Sequence, residues 1–274
     1  MIEVTKTNVI LIVILMLLVI SNILVYDYYN AQVEEMAEER SQLLQEKSDI
    51  SHAYQELWKD VFYFAECNST ASTVVYYTNF SRNQRILSFS IPYEKYDACH
   101  KTVHPYWGIA DLESADEYIT TSETIIIQIV ETIRNQTHTE EEFADALLDF
   151  VQDKGHGLSI RYYPTTELKY PIETLVEMGG DCDTHAFLYA TLMKAAGFKV
   201  LLLYSEEVLD DGQYHVATAV NLMNPPENSL PNYPDSDFTY NGEKYYFAET
   251  TLASWRVGDL PTDFEGISFH LVPV

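Results

Sequence analysis

The chain has 274 residues, of which 47% are hydrophobic and 13% aromatic, so it can build a sizeable core and is not a disordered protein. Its 42 acidic residues against 16 basic ones give a formal net charge of −26 at pH 7. Such a chain repels phosphate backbones, which excludes nonspecific nucleic-acid binding from its functions.

The first element along the chain is an apolar run at residues 9–26, VILIVILMLLVISNILVY. Its length is about that of a helix that spans a bilayer, so the run predicts a transmembrane helix. A cleaved signal peptide is the less favoured alternative. The run is longer than a usual signal-peptide core, and no small-x-small cleavage site follows it.

The charges on either side of this run set its predicted orientation. Lys6 and the free amine precede it, whereas Asp27 and a series of glutamates follow it. The positive-inside rule then leaves residues 1–8 in the cytoplasm and turns the rest of the chain outward. We therefore expect a single-pass protein of the cell membrane with an extracytoplasmic domain over 67–274.

A seven-residue repeat appears from Val33 onward and predicts a helical stalk over residues 27–66. The apolar position of the repeat holds Met36, Leu43, Ile50, Leu57 and Phe64. The companion position holds the basic residues Arg40 and Lys47, which weaken a coiled-coil seam. The sequence therefore leaves open whether the stalk forms a homo-oligomer or lies against its own domain.

Sequons and cysteines that suit an outward-facing domain follow the apolar run. Glycosylation candidates are Asn68, Asn79 and Asn135. A disulfide could join Cys67 and Cys99, and two separate buried thiols are the equally weighted alternative. Cys182 is the third cysteine and the candidate free thiol.

The domain begins with a predicted hairpin followed by helices. The predicted elements are strands at 73–78 and 85–91, a helix at 113–135, a helix from the capping-box sequence at 139–142 to about 151, and a loop at 153–171.

A further helix and two strand pairs complete the predicted fold. The helix spans 181–196 and ends before Gly197, a residue suited to the left-handed cap. The runs that predict paired strands are 198–204 with 215–223, and 238–240 with 244–250 across the Asn241-Gly242 turn. Helices followed by antiparallel strands predict an α+β domain.

The most reactive position in this pattern is a cysteine at the start of the last helix. Gly179-Gly180-Asp181 leads into Cys182, where the unpaired N–H groups and the positive end of the helix dipole favour a thiolate. Asp181 and Asp183 oppose this effect. Neighbouring carboxylates raise the pKa of a thiol unless they cap the helix and point away.

Two downstream residues could serve such a thiol. His215 begins one predicted strand and could act as general base, while Glu249 ends another and could orient the imidazole. A cysteine, a histidine and an acid, each fixed by a rigid element, are typical of a thiol acyl-transfer triad.

Four motifs carry a family resemblance. They are PIETL at 171–175 leading into GDCD at 180–183, LMKAAG at 192–197, HVA at 215–217 and YYFAETT at 245–251. Over about 113–260 the chain resembles the transglutaminase-like superfamily, most closely its prokaryotic and archaeal membrane-anchored members. The resemblance implies a papain-like core with Cys182 as nucleophile, His215 as base and Glu249, where many members carry Asp, as the third member.

The same resemblance implies a thioester intermediate formed from a peptide or protein substrate, with no required cofactor. An amine acceptor would give crosslinking, and water would give deamidation or hydrolysis. Asp235 and Asp237 lack the spacing of an EF-hand calcium loop, and Cys182 with His185 lacks a second ligand pair for zinc. We therefore expect no metal site.

Two questions of role stay open in the sequence. Trp107 could line the acyl cleft or donate to an oxyanion, and packing in the core is the favoured alternative. The leading hypothesis is a membrane-anchored thiol acyltransferase, or a cysteine peptidase or amidase, that acts on amide bonds. The alternative is a catalytically inactive domain that serves as a surface binding or assembly module.

Overall fold

The structure is a computed structural model. It describes residues 71–80, 83–104, 112–154, 159–165, 168–205, 214–227 and 237–274, with backbone alone for 71–80, 83–86 and 112–113, together with six positions between 26 and 42. By internal contacts the chain divides into two units, Met1–Tyr54 and Gln55–Val274.

In the first unit, the six described positions are helical and exposed: Tyr26, Tyr29, Gln32, Met36, Arg40 and Gln42. Within the described part of the chain, no helix has the length and apolar character needed to cross a membrane. Apart from Tyr26, the predicted transmembrane helix at 9–26 lies outside the described residues. The anchor and the stalk stay predictions.

The second unit opens with the predicted hairpin, which is longer than the sequence indicates. β1 (Ala71–Phe80) pairs antiparallel with β2 (Asn83–Pro92), and Phe80 lies opposite Asn83. Along β2, Leu87, Phe89 and Ile91 are buried and alternate with exposed serines, which is the period of a half-buried strand. A helix that the sequence did not predict, α1 (Tyr93–His100), follows directly.

The next two helices confirm one prediction and correct another. The helix predicted over 113–135 is interrupted, because Leu112–Tyr118 forms a 3-10 helix and α2 (Thr124–Arg134) begins only after a turn at Thr120. α3 (Glu140–Val151) begins as predicted. The Thr139 hydroxyl accepts a hydrogen bond from the Glu142 N–H at 3.0 Å, while the Glu142 carboxylate accepts one from the His138 N–H.

The segment predicted as a loop contains a short strand. β3 (Arg161–Tyr162) pairs in parallel with β4 (Gly179–Gly180), which follows the seven-residue helix α4 (Pro171–Glu177). The residues that form hydrogen bonds with β3 come after α4 in the chain. No pattern in the sequence around residues 161–162 therefore marks this strand.

The core of the unit is a helix packed on an antiparallel sheet. α5 (Cys182–Ala195) is buried at every position from Cys182 to Met193, as expected of a central helix. The sheet has the order β7-β8-β6-β5-β9. Its strands are β5 (Val200–Ser205), β6 (His215–Val220), β7 (Asp237–Tyr240), β8 (Glu243–Ala248) and β9 (His270–Pro273).

The sheet explains how distant residues reach one place. The Asn241-Gly242 turn joins β7 to β8 with positive φ at both residues, which confirms the predicted hairpin. β6 lies between β5 and β8, and α5 packs on β5 and β6. The fold is therefore a mixed α+β arrangement with the cysteine helix on an antiparallel sheet, and the starts of α5 and β6 meet the end of β8.

Candidate active site

The cysteine lies at the first position of α5 because the preceding backbone forces a sharp entry. Met178 ends α4 in the left-handed region with φ 54°, and Gly179-Gly180 continues as an extended pair. A Cβ on Gly180 would lie 2.4 Å from the Thr184 methyl carbon, so a larger residue does not fit there. Asp181 is then the N-cap and Cys182 the first helical residue.

Asp181 acts as the cap that the sequence requires of it. Its carboxylate accepts hydrogen bonds from the Thr184 N–H, from the Thr184 hydroxyl at 3.0 Å and from the Thr165 hydroxyl at 2.8 Å. Burial opposes ionisation, but hydrogen bonds from Asp183, Thr165 and Thr184 outweigh it and lower the pKa of Asp181. Asp181 is therefore the ionised member of the acid pair that flanks the thiol.

Asp183 behaves in the opposite way. It is buried, and Tyr214 donates a hydrogen bond to it at 3.1 Å. Burial, followed by its hydrogen bond with Asp181, raises the pKa of Asp183 well above its usual range. We interpret the two carboxyl groups as a pair that shares one proton, held on Asp183, so a single negative charge flanks Cys182.

The environment of the thiol is less favourable to a thiolate than its position at the helix start indicates. The side chain of Cys182 is 6% exposed. Burial, then Asp183 and Asp181, raise the pKa of the Cys182 thiol well above its usual range, while a hydrogen bond with the Val216 backbone lowers it. Desolvation thus outweighs the helix dipole in this structure.

His215 and Glu249 meet as predicted. The Nε2 atom of His215 lies 3.1 Å from Oε2 of Glu249, and both side chains are nearly buried. The other carboxylate oxygen accepts hydrogen bonds from the N–H and the hydroxyl of Thr251. Burial is outweighed by His215 and Thr251, so the pKa of Glu249 is lowered and the carboxylate is ionised.

The imidazole is held from a second side as well. Its ring stacks on Phe264, with ring centroids 4.8 Å apart and planes at 24°. With Nε2 facing the carboxylate, Nδ1 is the nitrogen that can exchange a proton with a thiol. A hydrogen bond with the backbone of Val216, the residue after His215, lowers the pKa of the Cys182 thiol, which puts the sulfur near the start of β6.

Three partners of the site were missed by the sequence analysis: Thr251, Tyr214 and Phe264. Thr251 follows Glu249 by two residues, a spacing at which a hydroxyl can reach back, and this could have been recognised. Phe264 reaches His215 from a 3-10 helix, Thr262–Phe264, that no sequence pattern connects to β6.

His185, one turn after Cys182, is committed to the backbone. Its two ring nitrogens face the carbonyl oxygens of Thr250 at 3.1 Å and Arg161 at 3.3 Å. Both nitrogens of His185 are therefore engaged by the backbone of the fold.

The remaining sequence predictions lie elsewhere. Trp107, Asn68 and Cys67 lie outside the described residues. Asn135 caps the C-terminal end of α2 and is exposed, and Asn79 lies in β1. Cys99 is a free thiol whose pKa burial raises to about 11, and its pairing with Cys67 stays a prediction.

A metal could be held at one place among the described residues, away from the thiol. His100, Glu173 and Glu177 offer ligand atoms that all lie within 4.8 Å of one another. The sequence alone does not bring these three residues together, because they meet only where α1 packs on α4.

Comparison with known proteins gives distant structural matches. A proposed protease from Parabacteroides distasonis is 13% identical with a TM-score of 0.34, over 70% of this chain and 42% of that one. A proposed cysteine protease from Cytophaga hutchinsonii is 12% identical with a TM-score of 0.24, over 60% of this chain and 48% of that one. The chain spans less than half the length of either. No family model matches the chain, and no curated protein does.

Proposed function

We propose that the chain is a membrane-anchored, transglutaminase-like cysteine enzyme that cleaves or transfers acyl groups at peptide or side-chain amide bonds. Cys182 is the nucleophile, His215 the general base and acid, and Glu249 the residue that orients the imidazole. The observation that carries this proposal is the buried His215–Glu249 pair at 3.1 Å. His215 begins β6, and the backbone of the next residue, Val216, lowers the pKa of the Cys182 thiol through a hydrogen bond.

The chemistry would proceed in two steps. His215 takes the thiol proton at Nδ1, the thiolate sulfur attacks the amide carbonyl carbon, and the carbonyl electron pair moves to its oxygen. First-turn N–H groups of α5 stabilise that oxyanion. The carbon–nitrogen bond then breaks, the proton passes from His215 to the leaving amine, and a thioester on Cys182 remains.

The second step returns the enzyme to its starting state. His215 deprotonates the acceptor, which attacks the thioester carbon, and the thiolate leaves and recovers its proton. An amine acceptor gives a new amide and water gives a carboxylic acid, with atoms balanced in both cases. Glu249 stays ionised throughout and stabilises the imidazolium, as the Thr251 hydrogen bonds favour.

The cellular setting is the second part of the proposal. The apolar run at 9–26 and the flanking charges support a single membrane span with the catalytic domain on the outer side. Peptides or proteins of the cell surface are then the substrates.

A second candidate function is a catalytically inactive module for surface binding or assembly. The observation that favours it is the environment of Cys182, where burial, Asp183 and Asp181 all raise the pKa of the thiol. A thiol that stays protonated attacks no carbonyl.

Trapping of the intermediate separates the two candidates. The full-length chain in detergent is incubated with a p-nitrophenyl acyl ester or a glutamine-containing peptide, and its intact mass is recorded before and after hydroxylamine. An enzyme acquires one hydroxylamine-labile acyl group on the peptide that contains Cys182. A mass that stays unchanged with both donors, while folding is intact, supports the inactive module.

A further inference from the structure

We propose that α1 and α4 together hold a divalent transition-metal cation through His100, Glu173 and Glu177, with zinc as the probe cation. The site lies outside the triad and does not use Cys182. The ligands are a nitrogen and carboxylate oxygens, a donor set that zinc accepts.

The separations of the donor atoms fit one coordination shell. Nδ1 of His100 lies 3.2 Å from Oε1 of Glu173 and 3.8 Å from Oε1 of Glu177. Two ligands bound to zinc at about 2.1 Å in tetrahedral geometry lie about 3.4 Å apart. The measured separations bracket that value.

Each carboxylate is held by a hydrogen bond from a neighbouring group. The Tyr170 N–H donates to Oε2 of Glu173 at 2.9 Å. Tyr96 donates its hydroxyl proton to Oε1 of Glu177 at 2.8 Å, and the Lys169 ammonium lies 2.8 Å from Oε2. Such outer partners fix the orientation of metal ligands.

A second histidine also faces this group. Nε2 of His104 lies 3.0 Å from Oε2 of Glu173. His104 is not among the three residues whose ligand atoms all lie within 4.8 Å of one another, so it holds Glu173 from outside the proposed ligand set.

The charge of the cluster also suits a cation. Glu173 and Glu177 carry two negative charges and Lys169 one positive charge, so neutral imidazoles leave a net charge of −1 around a nearly buried carboxylate. A divalent cation would compensate that negative charge. The competing explanation is a hydrogen-bonded ion pair between a protonated His100 and Glu173, which requires no metal.

The proposed metal site lies next to the segment that leads into Cys182. α4 ends at Glu177, and the residues that follow form the Gly179-Gly180 entry to Cys182. A metal that joins α1 to α4 would fix this entry and leave the reacting groups untouched. Loss of the metal then lowers stability more than it lowers turnover per folded molecule.

The test is zinc binding to the full-length chain in detergent, stripped with a chelator and titrated by calorimetry. We expect one equivalent of zinc with a dissociation constant below about 1 μM and a raised Tm on binding. Cobalt in place of zinc should give visible absorption bands of a four-coordinate site.

Variants locate the ion. His100→Ala removes a side chain that is 53% exposed, and Glu177→Gln keeps the shape of its side chain, so each should fold while weakening zinc binding about 100-fold. His138→Ala, at an exposed histidine, is the matched control and should bind as the parent does. Cys182→Ser should also bind zinc normally.

Three outcomes would overturn the proposal. They are no zinc bound to the folded parent chain, undiminished binding in both His100→Ala and Glu177→Gln, or loss of the zinc in Cys182→Ser. The last would move the ion to the thiol. None of the three depends on whether the triad is active.

Discussion

Two polar clusters, one at the start of α5 and one where α1 packs on α4, neutralise carboxylates in different ways. Beside Cys182, Asp181 and Asp183 pair with each other, and one proton serves both. Beside α1, Glu173 faces histidine nitrogens, and Glu177 faces a lysine. The first cluster is neutralised by a proton, whereas the second brings together a nitrogen and carboxylate oxygens of the kind that bind a metal.

Because of this difference, pH should affect the cluster at Cys182, and metal ions should affect the cluster at α1 and α4. A proton shared between carboxyl groups is lost as pH rises, so the thiol environment should respond to alkaline pH. A cation cluster responds instead to chelators. Changes in the thiol cluster should therefore affect acyl transfer more than matched changes elsewhere in the chain.

Removal of the nucleophile should have the largest effect. Cys182→Ala should lower acyl transfer by more than about 10³-fold, because no other group can form the thioester. Cys99→Ala is the matched control, since Cys99 is a half-buried thiol outside the site. Release of p-nitrophenol from the acyl ester measures both. Equal activity in the two variants would exclude Cys182 as nucleophile.

Neutralising the acid should have the next largest effect. Glu249→Gln keeps the size of the side chain but loses the charge that orients and stabilises the imidazolium, so kcat should fall about 10²- to 10⁴-fold with a small change in KM. Glu243→Gln, at a more exposed glutamate that begins β8, should leave kcat unchanged. A fall of similar size in both variants would show a loss of folding rather than of orientation.

The sequence predicts the parts of this site that local chemistry determines. Thr139 at an N-cap, Gly197 after α5 and Asn241-Gly242 in a hairpin each act on their own neighbours, and the structure confirms all three. Cys182 is likewise at the helix start that its Gly-Gly-Asp prefix indicates.

The parts that the sequence missed depend on distant residues. β3 bonds to residues beyond α4, Phe264 reaches His215 from the far end of the chain, and His100 meets Glu173 through helix packing. The raised pKa of the Cys182 thiol, where the helix start predicts a lowered one, also depends on distant residues. The helix dipole can be recognised from sequence, but the burial that outweighs it cannot.

The shared proton makes folding stability depend on pH. The folded-state pKa of Asp183 is raised, so stability is fully present below the unfolded value of 3.8 and falls as pH rises toward the folded value. Asp183→Asn keeps a donor to Asp181 and removes this loss. Urea unfolding at pH 5 and pH 8.5 should show a parent stability that falls by about 1 kcal/mol or more and a variant stability that falls less.

One result would directly contradict this prediction of pH dependence. If parent and Asp183→Asn lose the same stability between the two pH values, the proton is not held on Asp183. Tyr214→Phe, which removes the hydrogen bond to Asp183, is a control for local packing and should keep the pH dependence.

The smallest expected effect distinguishes the two aspartates at the thiol. Asp181 is the ionised member, so Asp181→Asn should remove a negative charge near Cys182 while keeping a capping side chain, and the alkylation rate at pH 7 should rise about threefold. Asp183→Asn replaces a group that is already neutral and should change the rate less. The reverse order of rates would place the proton on Asp181.

The most direct test of the proposed triad is the rate of Cys182 alkylation by iodoacetamide, followed from pH 5 to pH 10 by mass spectrometry in the parent chain and in His215→Ala. If His215 serves the thiol, the parent rate at pH 7 should exceed that of His215→Ala by about tenfold or more, and the difference should vanish at high pH. Two superimposable profiles would contradict a nucleophile assisted by His215.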